Sequence, residues 1–109
     1  DKDGDFAQAG VLDDLLLQKL NKLEYYTKSA PKSLGTEWLD KSFYPLISSD
    51  EDPYAILRTL SSHIATQIAA TLNAYKIQSV FFTGGGAKNK FILQELQKKY
   101  SWIFFLQFL

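Results

Sequence analysis

Thr83-Gly84-Gly85-Gly86-Ala87-Lys88-Asn89 is the stretch whose residue types and spacing best suit chemistry. It follows the apolar run 77–82 and opens a segment of helical periodicity, which predicts strand, glycine turn and helix start in succession. Glycine has no Cβ, so a ligand can approach the backbone closely. The unpaired N–H groups of a helix's first turn add partial positive charge. The pattern therefore suits a phosphate cradle, with plain chain reversal as the alternative. It is neither a P-loop, lacking the four-residue gap and trailing Lys-Ser/Thr, nor the G-x-G-x-x-G of a dinucleotide site. Asn89 suits a helix cap, or a hydrogen bond to a sugar hydroxyl. Lys88 suits a phosphate contact or plain solvent exposure.

Two other segments carry reactive or ligating groups. Pro31-Lys32-Ser33-Leu34-Gly35-Thr36-Glu37 sets a lysine and a hydroxyl between backbone punctuators, and it also reads as a turn with Ser33 or Gly35 as helix cap. Asp1-Lys2-Asp3-Gly4 could hold Mg²⁺ or a sugar, or could be a solvated acidic turn. His63 falls at the border of an apolar helix face with no acid at helical spacing, which predicts a boundary residue rather than a catalyst. Ser61 and Ser62 lack a nucleophile-elbow context, so no hydrolase triad is supported.

The elements that must position these groups follow from periodicity and caps. Leu12, Leu15, Leu16, Leu20 and Leu23 predict a helix over 12–23, with Asp13 and Asp14 in its first turn. A loop ending at Pro31–Gly35 precedes a short helical segment with Trp38, Leu39 and Phe43, closed by a turn at Pro45. Asp52-Pro53 signals a helix start, and a long helix is expected to about Tyr75 with an inward face of Ile56, Leu60, Ile64, Ile68 and Leu72. Ala65, Ala69 and Ala70 on that helix would allow close approach of a neighbour; residues 77–82 read as a buried strand, Asn89 to Lys99 as a helix with Ile92, Leu93 and Leu96 inward, and Trp102 to Leu106 as a second strand. The order implies a right-handed α/β unit with parallel strands.

Composition limits the alternatives. The 109 residues hold 46% hydrophobic content, enough for one small packed domain. Twelve Lys+Arg balance twelve Asp+Glu, and Arg58 is the single arginine, which argues against a nucleic-acid partner. Without cysteine there is no disulfide framework, thiolate metal site or cysteine nucleophile, and one histidine argues against metal chemistry. No apolar run is long enough to span a bilayer, and the polar start is no signal peptide, so a cytoplasmic protein with no membrane partner is expected. The absence of methionine and the uncharged aromatic tail 101–109 predict a piece of something larger, its tail atypical and truncated.

Taken in order, the Asp1-Lys2-Asp3-Gly4 segment, the Leu15/Leu16/Leu20 helix, Lys28 to Glu37, the helix around Thr59 to Ile68 and the glycine loop resemble the C-terminal part of the anhydro-N-acetylmuramic acid kinases, over nearly everything up to Tyr100. The Pro-Lys-Ser and Gly-Gly-Gly-Ala-x-Asn motifs are specific jointly. The resemblance implies a partial actin-like ATPase (ribonuclease H-like) domain, α/β with helices on a small parallel sheet, forming over 1–109 the single C-terminal portion of a two-lobe sugar kinase. It implies ATP and Mg²⁺ as cofactors, with cleavage of the 1,6-anhydro bond and phosphorylation at O6 in peptidoglycan recycling. Nucleotide would meet Gly84, Gly85, Gly86 and Asn89, and Lys32 and Ser33 are candidate cleft residues. The catalytic aspartate is expected upstream of residue 1, with the amino-sugar substrate held mostly by the other lobe, so that 1–109 alone would be inactive; self-association is compatible with the tail. A purely structural remnant docking on a missing lobe is the alternative. Leu34 and Thr36 stand where the family has Thr and Arg, and Ser62 stands where its long helix carries an acid.

Overall fold

Asp52 and Pro53 start the longest helix as expected: the Asp52 carboxylate accepts the Tyr54 N–H at 3.0 Å, and Pro53 occupies the first turn, where its missing donor is harmless. In the computed structural model, which describes residues 1–29, 33–48, 50–100 and 104–107, this helix is α4, Pro53–Ala74. Its C-terminus closes with Lys76 in the left-handed region (φ 52°). Ile77 N–H bonds Leu72 O at 2.9 Å and Lys76 N–H bonds Asn73 O at 3.2 Å, a Schellman arrangement that satisfies the last carbonyls.

Three helices pack on α4: α1 (Asp5–Ala9), α2 (Asp14–Asn21) and α5 (Lys90–Lys99). Between α2 and α4 lies an irregular helical stretch, with α3 (Thr36–Trp38) passing into a π-type turn Leu39–Phe43 and a 3-10 turn Tyr44–Leu46. Most of the described residues are helical. The strands are β1 (Ser79–Phe82) and β2 (Phe104–Gln107), paired in parallel with Ser79 opposite Phe104 and Phe82 opposite Gln107. The core gathers Ala65, Ala69 and Leu72 of α4 with Leu96 and Tyr100, and Ile68, Val80 and Phe82 pack against it. Tyr100 ties the layers together, its hydroxyl donating to Ile77 O at 2.9 Å.

Several expectations change. The helix expected over 12–23 is shorter, because Asp13 accepts the Leu16 N–H and so caps α2 from outside. α1 was not foreseen; both Asp1 carboxylate oxygens accept backbone donors, from Phe6 at 2.9 Å and Ala7 at 3.0 Å, and start a helix directly after the Asp1–Gly4 segment. The buried face of α4 is only partly the expected one: Leu72, Ala65 and Ala69 are buried as expected, but Ile56, Leu60 and Ile68 are half-buried, Ile64 is 42% exposed, and Thr59, Ser61, Ser62 and His63 are buried in their place. Small side chains win because α1, α2 and α5 crowd α4 from different sides, and close approach favours them over large residues. β1 is not fully buried either: exposure alternates along it and Phe81 is 56% exposed. On α5 the buried residues are Phe91, Glu95 and Leu96, with Ile92 and Leu93 half-buried. The start of the expected second strand at Trp102, and much of the 101–109 tail, lie outside the described residues.

Candidate functional site

β1 runs into the glycine loop, and the loop runs into α5. Gly84 adopts φ 89° and ψ −176°, a region essentially closed to side chains, and turns the chain out of the strand. Gly85–Lys88 then form a 3-10 turn that ends at Asn89. Asn89 takes the capping role of the two open to it: its Oδ1 accepts the Ile92 N–H at 3.1 Å and its carbonyl accepts Leu93 N–H at 3.3 Å. Gly84, Gly85 and Gly86 are exposed, and a Cβ at any of them would meet nothing within 4 Å.

The Asp1–Gly4 turn lies directly against the start of α5, so two motifs far apart in sequence come together. Gly4 is buried at φ 75°, and a Cβ there would overlap Phe91 Cβ and lie 2.5 Å from Asn89 Oδ1. Both the conformation and the contact require glycine. Asp3 shares the left-handed region at φ 57°.

Behind Asn89 a charged group spans α4 and α5. The guanidinium carbon of Arg58 stands 4.9 Å from the centre of the Phe91 ring, and its Nη2 lies 3.7 Å from Glu95 Oε1. Ser62 Oγ donates to Glu95 Oε1 at 3.3 Å, and Lys98 Nζ is 3.5 Å from Glu95 Oε2. A carboxylate is thus present beside residue 62, supplied from α5. The sequence reading missed this group; the local signal for Glu95 was its spacing of four from Phe91, and Arg58 carried none.

His63 is buried rather than at a boundary. Its Nδ1 is 2.6 Å from Asn21 Oδ1 and its Nε2 is 2.9 Å from the Tyr26 hydroxyl, an arrangement satisfied by a neutral ring donating from Nδ1 and accepting at Nε2. Burial holds its pKa below the ordinary histidine value. Around it Tyr26, Trp38 and Phe43 line a cavity of about 300 Å³ with Leu34 at its edge. Ser33, on the segment that enters α3, is exposed, and Lys32 lies outside the described residues. The glycine loop borders neither this cavity nor that of about 220 Å³ lined by α2 with Leu46, Ser48 and Glu51. In the latter, Asp13 and Glu51 share a hydrogen bond that lowers the pKa of Asp13 and raises that of Glu51.

Among the described residues no group of three or more His, Asp and Glu side chains converges on a point where a metal ion could sit, and the Asp1 oxygens are engaged in capping. Nor is any described helix long and apolar enough to cross a membrane.

Set beside known proteins, residues 1–103 match the family described as Anhydro-N-acetylmuramic acid kinase. The chain is 34% identical to the Anhydro-N-acetylmuramic acid kinase of Hahella chejuensis, covering 90% of this chain and 27% of the relative. It is 35% identical to that of Burkholderia thailandensis, over 88% of this chain and 26% of the relative, and 33% to that of Francisella tularensis subsp. novicida, over 88% and 27%. The chain therefore spans about 27% of the length of these relatives. A match running from the Asp1–Gly4 turn through the glycine loop and α5 takes in every element that builds the site, and on it the chain belongs to the anhydro-N-acetylmuramic acid kinase family.

Proposed function

We propose that this chain is the ATP-binding C-terminal portion of an anhydro-N-acetylmuramic acid kinase of actin-like, ribonuclease H-like architecture, acting in the cytoplasm on the amino sugar together with a second lobe. The supporting observation lies at Gly85 and Gly86. Neither has a positive φ, and a Cβ on either would touch nothing. Chain reversal needs glycine only at Gly84, so the bare backbone at 85 and 86 is surplus to the turn and suits close approach of a ligand. Membership of a sugar-kinase family supports a nucleotide as that ligand.

ATP, when bound, supplies the phosphoryl group. The chain's own part is to receive the nucleotide on the exposed backbone of Gly84–Gly86, with Asn89 fixing the start of α5 and Gly4 packing beneath it. Mg²⁺ finds no ligand set among the described residues. Phosphoryl transfer also requires a base oriented against the nucleophile. On this proposal that base, the catalytic aspartate, lies upstream of residue 1, and 1–109 alone is without turnover.

Isothermal titration with ATP and Mg²⁺ tests this reading. Saturable heat is expected from the folded chain and its loss from Gly86→Val, whose side chain would fill the approach. A folded chain giving no heat would instead support the structural reading, in which the glycines only turn the backbone.

A further inference from the structure

We propose that Arg58 is a positioning residue of this site: acting through Phe91, it sets how the start of α5 and the glycine loop lie against the Asp1–Gly4 turn. The inference rests on the nucleotide reading of the loop. Phe91 and Glu95 are four apart and so share one face of α5. Arg58 meets both, with its guanidinium 4.9 Å from the Phe91 ring centre and Nη2 3.7 Å from the Glu95 carboxylate. One planar cation on α4 therefore grips α5 at two points one turn apart, a geometry a point-charge lysine does not reproduce.

Phe91 is buried, with Arg58 against its ring and Gly4 against its Cβ. Gly4 also borders Asn89 Oδ1, the atom that caps α5. The path from Arg58 through Phe91 to Gly4 and Asn89 is continuous contact and ends where the glycine loop ends. Arg58 Nε is buried with no hydrogen-bond acceptor among the described residues. Leaving such a donor unpaired is unfavourable, and an apolar side chain would avoid it. What an apolar residue would not provide is the combined ring and carboxylate grip. Glu95 is held in turn by the buried Ser62 hydroxyl, so the anchor for Arg58 is itself fixed.

The test compares Arg58→Lys with Lys98→Gln, which alters only the exposed partner of Glu95. Thermal unfolding, the amide shifts of Gly84, Gly85 and Gly86 without ligand, and the dissociation constant for ADP are read for each. Arg58→Lys, which keeps a cation for Glu95, is expected to remain folded, to shift the Gly85 and Gly86 amides, and to weaken ADP about tenfold. Lys98→Gln is expected to move neither. A folded Arg58→Lys protein with unchanged glycine amides would overturn the proposal. If Arg58→Lys does not fold, Phe91→Leu interrupts the same path, and unmoved glycine amides in it would be equally contrary. If the unaltered chain binds no ADP, the nucleotide reading fails, while the glycine shifts still decide whether Arg58 positions the loop.

Discussion

Gly84 and Gly86 sit two residues apart in one loop and face different constraints. At φ 89° and ψ −176° a side chain on Gly84 is strained by about 1–3 kcal/mol, so Gly84→Ala is expected to lower stability by that amount in chemical denaturation. Gly86→Ala meets open space and should change stability by no more than about 0.5 kcal/mol. Asn89 is a helix cap whether or not it also meets a ligand, and Asn89→Ala should cost about 1 kcal/mol, read the same way. His63 gives a pH signature. Burial holds its folded pKa below the ordinary 6.5, so the unfolded chain takes up the proton first. Its contribution is complete above about 6.5 and is lost as pH falls from there through the folded pKa. Denaturation midpoints measured between neutral and mildly acidic pH should show this decline in the unaltered chain and a shallower one in His63→Gln.

Among the elements, α4 is the scaffold, and Thr59 shows how it holds its neighbours. Fully buried, Thr59 donates to Ala55 O at 2.7 Å and accepts the Asp13 N–H at 3.0 Å, fastening the start of α2 to α4. Thr59→Val keeps the shape and orphans that N–H; a loss of about 1–3 kcal/mol is expected in denaturant unfolding, with Thr59→Ser closer to the unaltered chain. The same residue marks where sequence legibility ends. Caps are local, and the starts of α4 at Asp52-Pro53 and of α5 at Asn89 were readable from a few neighbouring residues. The inward face of α4 was readable only in part, at Ala65, Ala69 and Leu72, because whether Ile64 or His63 is covered depends on three helices arriving from elsewhere in the chain. Likewise α1 depends on Asp1 reaching five and six residues ahead, and the Arg58–Glu95 pair on a separation of 37 positions that no local pattern encodes. The glycine loop was legible as a strand-to-helix turn, whereas its contact with the Asp1–Gly4 turn emerges only on folding.

At the scale of the whole molecule, the chain matches relatives over 90% of itself but only 27% of them, and the proposed function assigns to it nucleotide binding without the phosphoryl-transfer base. Binding is therefore the property the 109 residues should retain and turnover the one they should lack: incubated with ATP and 1,6-anhydro-N-acetylmuramic acid, they are expected to form no phosphorylated sugar. The most direct measurement is a ¹⁵N–¹H amide titration of the unaltered chain with ATP. The Gly84, Gly85 and Gly86 resonances should move saturably, with those of the Asn21–Tyr26–His63 cluster unmoved. Glycine resonances that stay fixed at saturating ATP, in a sample whose other amides are dispersed as in a folded protein, would contradict the nucleotide role of the loop.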